Sequence, residues 1–107
     1  MESGTGGTDL AMASFKVGDE VTWASSAQGS WTWKTGMVVY VLAPDEAPWK
    51  VIPKLRSQLN IEGKRDDFKC QFDGRFGRPA ESYFVLVEDG KRQAKLYWPR
   101  LNRLEPA

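Results

Sequence analysis

The chain contains no histidine and only one cysteine, Cys70. Without histidine there is no imidazole base, no Ser-His triad and no His-based metal site, and one thiol cannot form an intrachain disulfide. No apolar run approaches the roughly 18 residues that a membrane-spanning helix needs. The N-terminus lacks the basic start and apolar stretch of a signal peptide. These absences exclude most common enzyme classes and lead us to expect a non-catalytic, cytoplasmic protein that uses neither metal nor cofactor. Net charge is also scarce, at +1, well short of the basic excess of dedicated nucleic-acid domains.

What the chain has in quantity is aromatic surface: five Trp, five Phe and three Tyr in 107 residues, enough for the core of one domain and too short for two. Its charge is unevenly spread. Residues 1–49 hold six acidic and two basic side chains, residues 50–80 eight basic and four acidic, and residues 81–107 five basic and four acidic.

Residues 1–14 are rich in Gly, Ser and Thr and show no hydrophobic period, which predicts a flexible leader, with Met12 as the original start, before a single domain over residues 15–107. In Phe15–Trp23, Gly18-Asp19 signals a turn, and Val21 and Trp23 then alternate with polar residues as in a half-buried strand. Ala24–Gly29 reads as a small polar loop and Trp31–Leu42 as a second strand, with Gly36 at a bend or bulge. After the break at Ala43–Pro48, Trp49–Ile52 alternates briefly, and Pro53 suits the first turn of a short helix carrying Leu55 and Leu59. Asp67–Phe72 alternates again, with Phe68, Cys70 and Phe72 on one face. Glu81–Glu88 and Gln93–Trp98 flank Asp89-Gly90-Lys91-Arg92 as a hairpin, and Leu101 and Leu104 suit one helical turn laid back on the core. The fold class expected is all-β: a small, strongly bent antiparallel barrel with a 43–80 insertion that can hold a short helix. Alternation nominates Val21, Trp23, Val39, Val41, Val85, Val87, Leu96, Trp98 and Leu101 as core.

Three stretches, Phe15-Lys16-Val17-Gly18-Asp19-Glu20-Val21-Thr22-Trp23, Trp33-Lys34-Thr35-Gly36-Met37-Val38-Val39 and Leu96-Tyr97-Trp98-Pro99-Arg100-Leu101 with Leu104, resemble the SH3-like barrel of the Tudor and KOW type. In those families a G-D-x-V entry, a W-x-x-G-x-V second strand and a short closing turn recur. The resemblance covers residues 15–42 and 81–104 and implies a fold more than a function. Residues 43–80 have no counterpart in a minimal barrel of that kind. Plasmid-type dihydrofolate reductase, built on a similar barrel, carries V-Q-I-Y where this chain has Ala94-Lys95-Leu96-Tyr97, so reductase activity is not expected.

Two constellations could hold a ligand. Trp31 and Trp33, two apart in an extended segment, put both rings on one side, where they can stack on bases or receive a cation unless they roof the core. Lys64-Arg65, Lys69 and Arg75-Phe76-Gly77-Arg78 interleave cations with an aromatic and glycines, a composition suited to phosphate, although Asp66, Asp67 and Asp73 can neutralise them in surface ion pairs. Asp66 and Asp67 cannot converge on one substrate from a strand, and Cys70 sits among apolar neighbours as an inert thiol. The expected function is nucleic-acid binding through Trp31, Trp33, Lys64, Arg65, Arg75, Phe76 and Arg78. The alternative is a protein-interaction module that holds a peptide's cationic side chain in a cage of Trp31, Trp33 and Tyr83. Pairing of an exposed strand edge with a second copy is a third expectation.

Overall fold

The computed structural model describes residues 14–27, 29–88, 90 and 93–107. Its strands form one six-stranded mixed sheet: β1 (Glu20–Ala27), β2 (Ser30–Leu42), β3 (Lys69–Cys70), β4 (Ser82–Val87), β5 (Lys95–Tyr97) and β6 (Glu105–Pro106), in the order β3-β5-β4-β2-β1-β6. One α-helix, α1 (Pro48–Ile61), lies between β2 and β3, and a single 3-10 turn, Leu101–Arg103, between β5 and β6. The leader expected over residues 1–14 falls, apart from Ser14, outside the described residues. Most of the Asp89–Arg92 turn does too, and Gly90 there has the positive φ of 56° that a tight turn favours. Among the described residues no helix is long and apolar enough to cross a membrane.

The long β2 serves two partners. Its first half pairs with β1, from Ala27↔Ser30 to Glu20↔Met37, and its second half pairs with β4, from Met37↔Leu86 to Leu42↔Ser82. The change of partner falls at Gly36–Met37, where a Cβ on Gly36 would stand 2.6 Å from the Leu86 carbonyl oxygen. Only glycine admits so close a strand crossing. The bulge expected at Gly36 lies instead between Val38 and Tyr40. It moves the side-chain alternation by one residue, so that Val38 packs with Val21 and Val85 while Tyr40 and Leu42 pack on the opposite face with Phe84. For that reason Val38 and Leu42 are the fully buried residues of β2, and the nominated Val39 and Val41 are half-buried, as are Val87 and Leu101. Val21, Trp23, Val85, Leu96 and Trp98 are buried as expected.

Two corrections concern the fold class. The sheet does not close into a barrel: β3 and β6 are its outer strands and do not pair with each other, and β3 runs parallel to β5. The helix supplies the reason. It covers one face with Val51, Leu55 and Leu59, each worth roughly 1.5–3 kcal/mol when buried, so that face need not curl round to meet itself. Phe15, Leu101 and Leu104 pack on the other face around Val21, Trp23 and Tyr83. β4 lies between both layers and is apolar on both sides.

The second correction is the helix itself. Its first residue is Pro48, with Ala47 as an extended N-cap, and Pro53 sits in its interior. Trp49–Ile52 is therefore helical and no strand. At its end the Gly63 N–H donates to the Asn60 carbonyl and the Lys64 N–H to the Leu59 carbonyl, a Schellman stop with Gly63 at φ 73°. Ala24–Ala27, expected as loop, continues β1, and the strand read over Asp67–Phe72 is limited to Lys69–Cys70. The closing hairpin of β4 and β5 forms as expected, with Leu86↔Leu96 at its centre.

Candidate nucleic-acid interface

On β1 and β2, odd-numbered Val21 and Trp23 face the core, so their neighbours face out. Ala24 pairs with Trp33 and Ser26 with Trp31, which turns both indoles away from the core. Trp31 is 66% exposed and Trp33 61%. Their Cα atoms lie about 6.8 Å apart along the strand. On the same face the Thr35 hydroxyl donates to the Thr22 hydroxyl at 3.2 Å, and Met37 follows at the mouth of a cavity beside the helix. The small side chains of Ala24 and Ser26 leave the rings unobstructed toward the sheet edge.

Next to Trp33 is a cleft of about 240 Å³ between the overhanging part of β2 and the ends of β4 and β5, lined by Trp33, Lys34, Thr35, Val87, Glu88, Lys95 and Tyr97. The Lys34 ammonium stands over the Tyr97 ring, 5.6 Å from its centre. Lys95 is exposed and pairs with Lys69 of β3, which adds a third cation at this margin. Among the described residues no carboxylate forms an ion pair with Lys34, Lys69 or Lys95. Burial against Trp23 pushes the Tyr97 phenol above its usual range, so it remains a neutral ring and hydrogen-bond donor.

The remaining candidates divide into two groups at opposite ends of α1, whose 14 residues span about 21 Å. Lys64 and Arg65 follow the C-terminal stop and line a second cavity, of about 410 Å³, together with Met37, Leu86 and Glu88. That cavity is continuous with the Trp31–Met37 row. Arg65 makes a bidentate ion pair with Asp67, at 3.0 and 3.1 Å, and Lys64 pairs with Glu62 at 3.3 Å. The Arg65 contact holds the Asp67 carboxyl below the usual carboxylate range.

The loop Gly74–Arg78 lies at the other end, where the Trp49 N–H donates to the Gly74 carbonyl and the Asp45 N–H to the Arg78 carbonyl. Gly77 is packed so tightly that a Cβ would meet the Asp45 and Glu46 backbone at 2.5–2.7 Å. Arg75 and Arg78 have different duties there. Arg75 is exposed and paired with Asp73 at 2.8 Å, beside an exposed Phe76. Arg78 lies 3.8 Å over the Trp98 ring and donates to the Trp98 and Pro99 carbonyls at 2.7 and 3.0 Å. Burial, assisted by the like charge of Arg100, lowers its pKa. Arg78 thus fastens the loop to the sheet. The single basic constellation read from the sequence is therefore not one surface, and only its Lys64-Arg65 part reaches the tryptophan face.

Sequence reasoning missed Lys34, Lys95 and Tyr97. Lys34 stands in the acidic first segment, and only the strand order brings it to Lys95. Adjacency to Trp33 was the one available signal. The buried ring of Tyr83 cannot complete an aromatic cage, since its edge meets Phe15 and its hydroxyl accepts the Phe15 N–H at 3.2 Å. Compared with protein-family models, curated proteins and solved structures, the chain matches none.

Proposed function

We propose that the chain is a non-catalytic module that binds single-stranded nucleic acid, with Trp31 and Trp33 as stacking platform and Lys34 and Lys95 as phosphate contacts. The observation that carries this reading is the exposure of two indoles on one face of one strand, with Lys34 and Lys95 emerging from the opposite face at a cleft that Trp33 also lines. Successive unpaired bases stack on such rings irrespective of sequence, and each stacking contact is worth roughly 1–3 kcal/mol. Two exposed rings rise from one face of one strand, a spacing suited to successive bases, and with Tyr83 buried no third ring encloses a cation between them. The proposal includes an SH3-like ancestry for the sheet, supported by the meander β1-β2-β4-β5 and by the return of β6, after a 3-10 turn, to pair with β1.

Titration with a single-stranded oligonucleotide, followed by indole fluorescence, tests the proposal. Trp31→Ala and Trp33→Ala should each weaken binding by roughly 1–3 kcal/mol, with circular dichroism unchanged because neither ring is buried. A wild-type chain that ignores oligonucleotides but shifts its Trp31 and Trp33 indole resonances with a methyl-lysine peptide would overturn it in favour of the peptide module.

A further inference from the structure

Stacking on an indole ignores sequence, because every base has a flat face. One side chain on the indole face does not suit that indifference. Leu86 pairs with Met37 and packs in the layer under the helix, and continuing that register past the end of β4 sets Glu88 on the same face, level with Thr35. Glu88 lines both the cleft beside Trp33 and the cavity of about 410 Å³ that includes Met37 and Leu86, and it is the only acidic residue lining either. It is exposed, and among the described residues no ion pair holds its carboxylate. Hydrogen bonding to Asp67 is the main cause that raises the pKa of Arg65, and the charge of Glu88 is the least, so Arg65 belongs to Asp67.

A carboxylate in the path of a phosphate chain repels it unless the carboxylate meets something other than phosphate. A cationic group is a poor match, since Lys34 and Lys95 line the same cleft and Lys64 and Arg65 the same cavity, and cations outnumber Glu88 in both. The fitting occupant brings uncharged N–H donors on an anionic chain. Among the bases, guanine alone sets two such donors side by side on its Watson–Crick edge, N1–H and the N2 amino group, where one carboxylate accepts both. Adenine and cytosine turn a ring-nitrogen acceptor toward the same oxygens, and thymine and uracil a carbonyl on either side of one N–H.

We propose that Glu88 reads a guanine, the base that follows the one stacked on Trp33. Trp31, Trp33 and Thr35 succeed one another at about 6.8 Å along β2, so the step between the indoles is repeated from Trp33 to the position level with Glu88. There the apolar side chains of Met37 and Leu86 border the base. The proposal rests on the nucleic-acid reading and adds to it the identity of one base.

Thymidine oligonucleotides of equal length, each with one central guanine, adenine, cytosine or hypoxanthine, are titrated with the full chain and followed by the anisotropy of a label on the oligonucleotide. The guanine strand should bind about tenfold more tightly than the adenine and cytosine strands, toward the lower end of what a bidentate base contact supplies. Hypoxanthine, which lacks the N2 amino group, should lose most of that gain, and 7-deazaguanine, altered only on the other edge, should keep it. Glu88→Gln should abolish the preference and bind the all-thymidine strand at least as well as wild type, with an unchanged circular dichroism spectrum. Equal binding of all strands by wild type overturns the guanine assignment and leaves the stacking platform standing. A preference that survives Glu88→Gln overturns the role of Glu88. Failure to bind any strand overturns the nucleic-acid reading and this proposal with it.

Discussion

Arg75 and Arg78 show how far residue type underdetermines role. Three positions apart in one glycine-containing loop, they carry the same charge and the same candidate chemistry in the sequence. In the fold one forms an ion pair in water and the other clamps two carbonyls beneath a stacked indole. Arg78→Ala should cost roughly 2–3 kcal/mol, since it removes charge-assisted hydrogen bonds and a ring contact. Arg75→Ala should stay within about 0.5 kcal/mol, as exposed pairs do. Urea unfolding of the two variants checks this, and equal losses would place Arg78 on the surface beside Arg75. The tryptophans divide in the same way. Alternation puts Trp23 and Trp33 on definite sides of a hairpin, but it cannot say which side is inside. That depends on what packs there, namely Tyr97 and Leu104 against Trp23, whereas Trp33 is left largely exposed.

At the level of elements, legibility followed length and local closure. The β4–β5 hairpin was readable because apolar runs flank an Asp-Gly turn within a few residues of each other. The helix was misread because Trp49–Ile52 alternates by chance over four residues, whereas its true period appears only when Pro48, Val51, Leu55 and Leu59 are taken together. Two prolines five apart could each open a helix, and Pro48, the buried one, does. Pro53 then lies in the interior on the exposed face, where it lacks an N–H for the Trp49 carbonyl. Pro53→Ala should accordingly stabilise the domain by about 1–2 kcal/mol, the helix-interior penalty of proline less the entropy it removes from the unfolded chain. A melting temperature raised by roughly 4–8 °C per kcal/mol is the expected reading, and a fall would mean that a kink at Pro53 is needed for the helix to follow the sheet. The bulge at Val38–Tyr40 had no signal at all. Every residue from Met37 to Leu42 is apolar or aromatic, so a one-residue slip leaves the pattern unchanged.

Across the whole molecule, charge counted along the chain gives a different map from charge placed by the fold. Eight of the basic residues belong to segment 50–80, yet the helix carries them to both ends of the molecule, and several are held by Glu62, Asp67 and Asp73. Lys34 and Lys95 at the Trp33 cleft, and Lys69 paired with Lys95, come from three separate segments that strand order draws together. Such a local concentration is what the proposed binding of a polyanion requires of a chain with almost no net charge. Neutralising one phosphate contact to a single strand lowers the slope of log K against log salt by about 0.7, so Lys34→Gln with Lys95→Gln should flatten it by about 1.4. Arg75→Gln, at the far end of α1, should leave the slope as it is. The tryptophan variants should shift the line down without changing its tilt, because stacking releases no counterions. Oligonucleotide titrations at four or five salt concentrations separate the two effects. A slope lost with Arg75 and kept without Lys34 and Lys95 would move the phosphate path to the other end of the helix and leave the indoles without their anion.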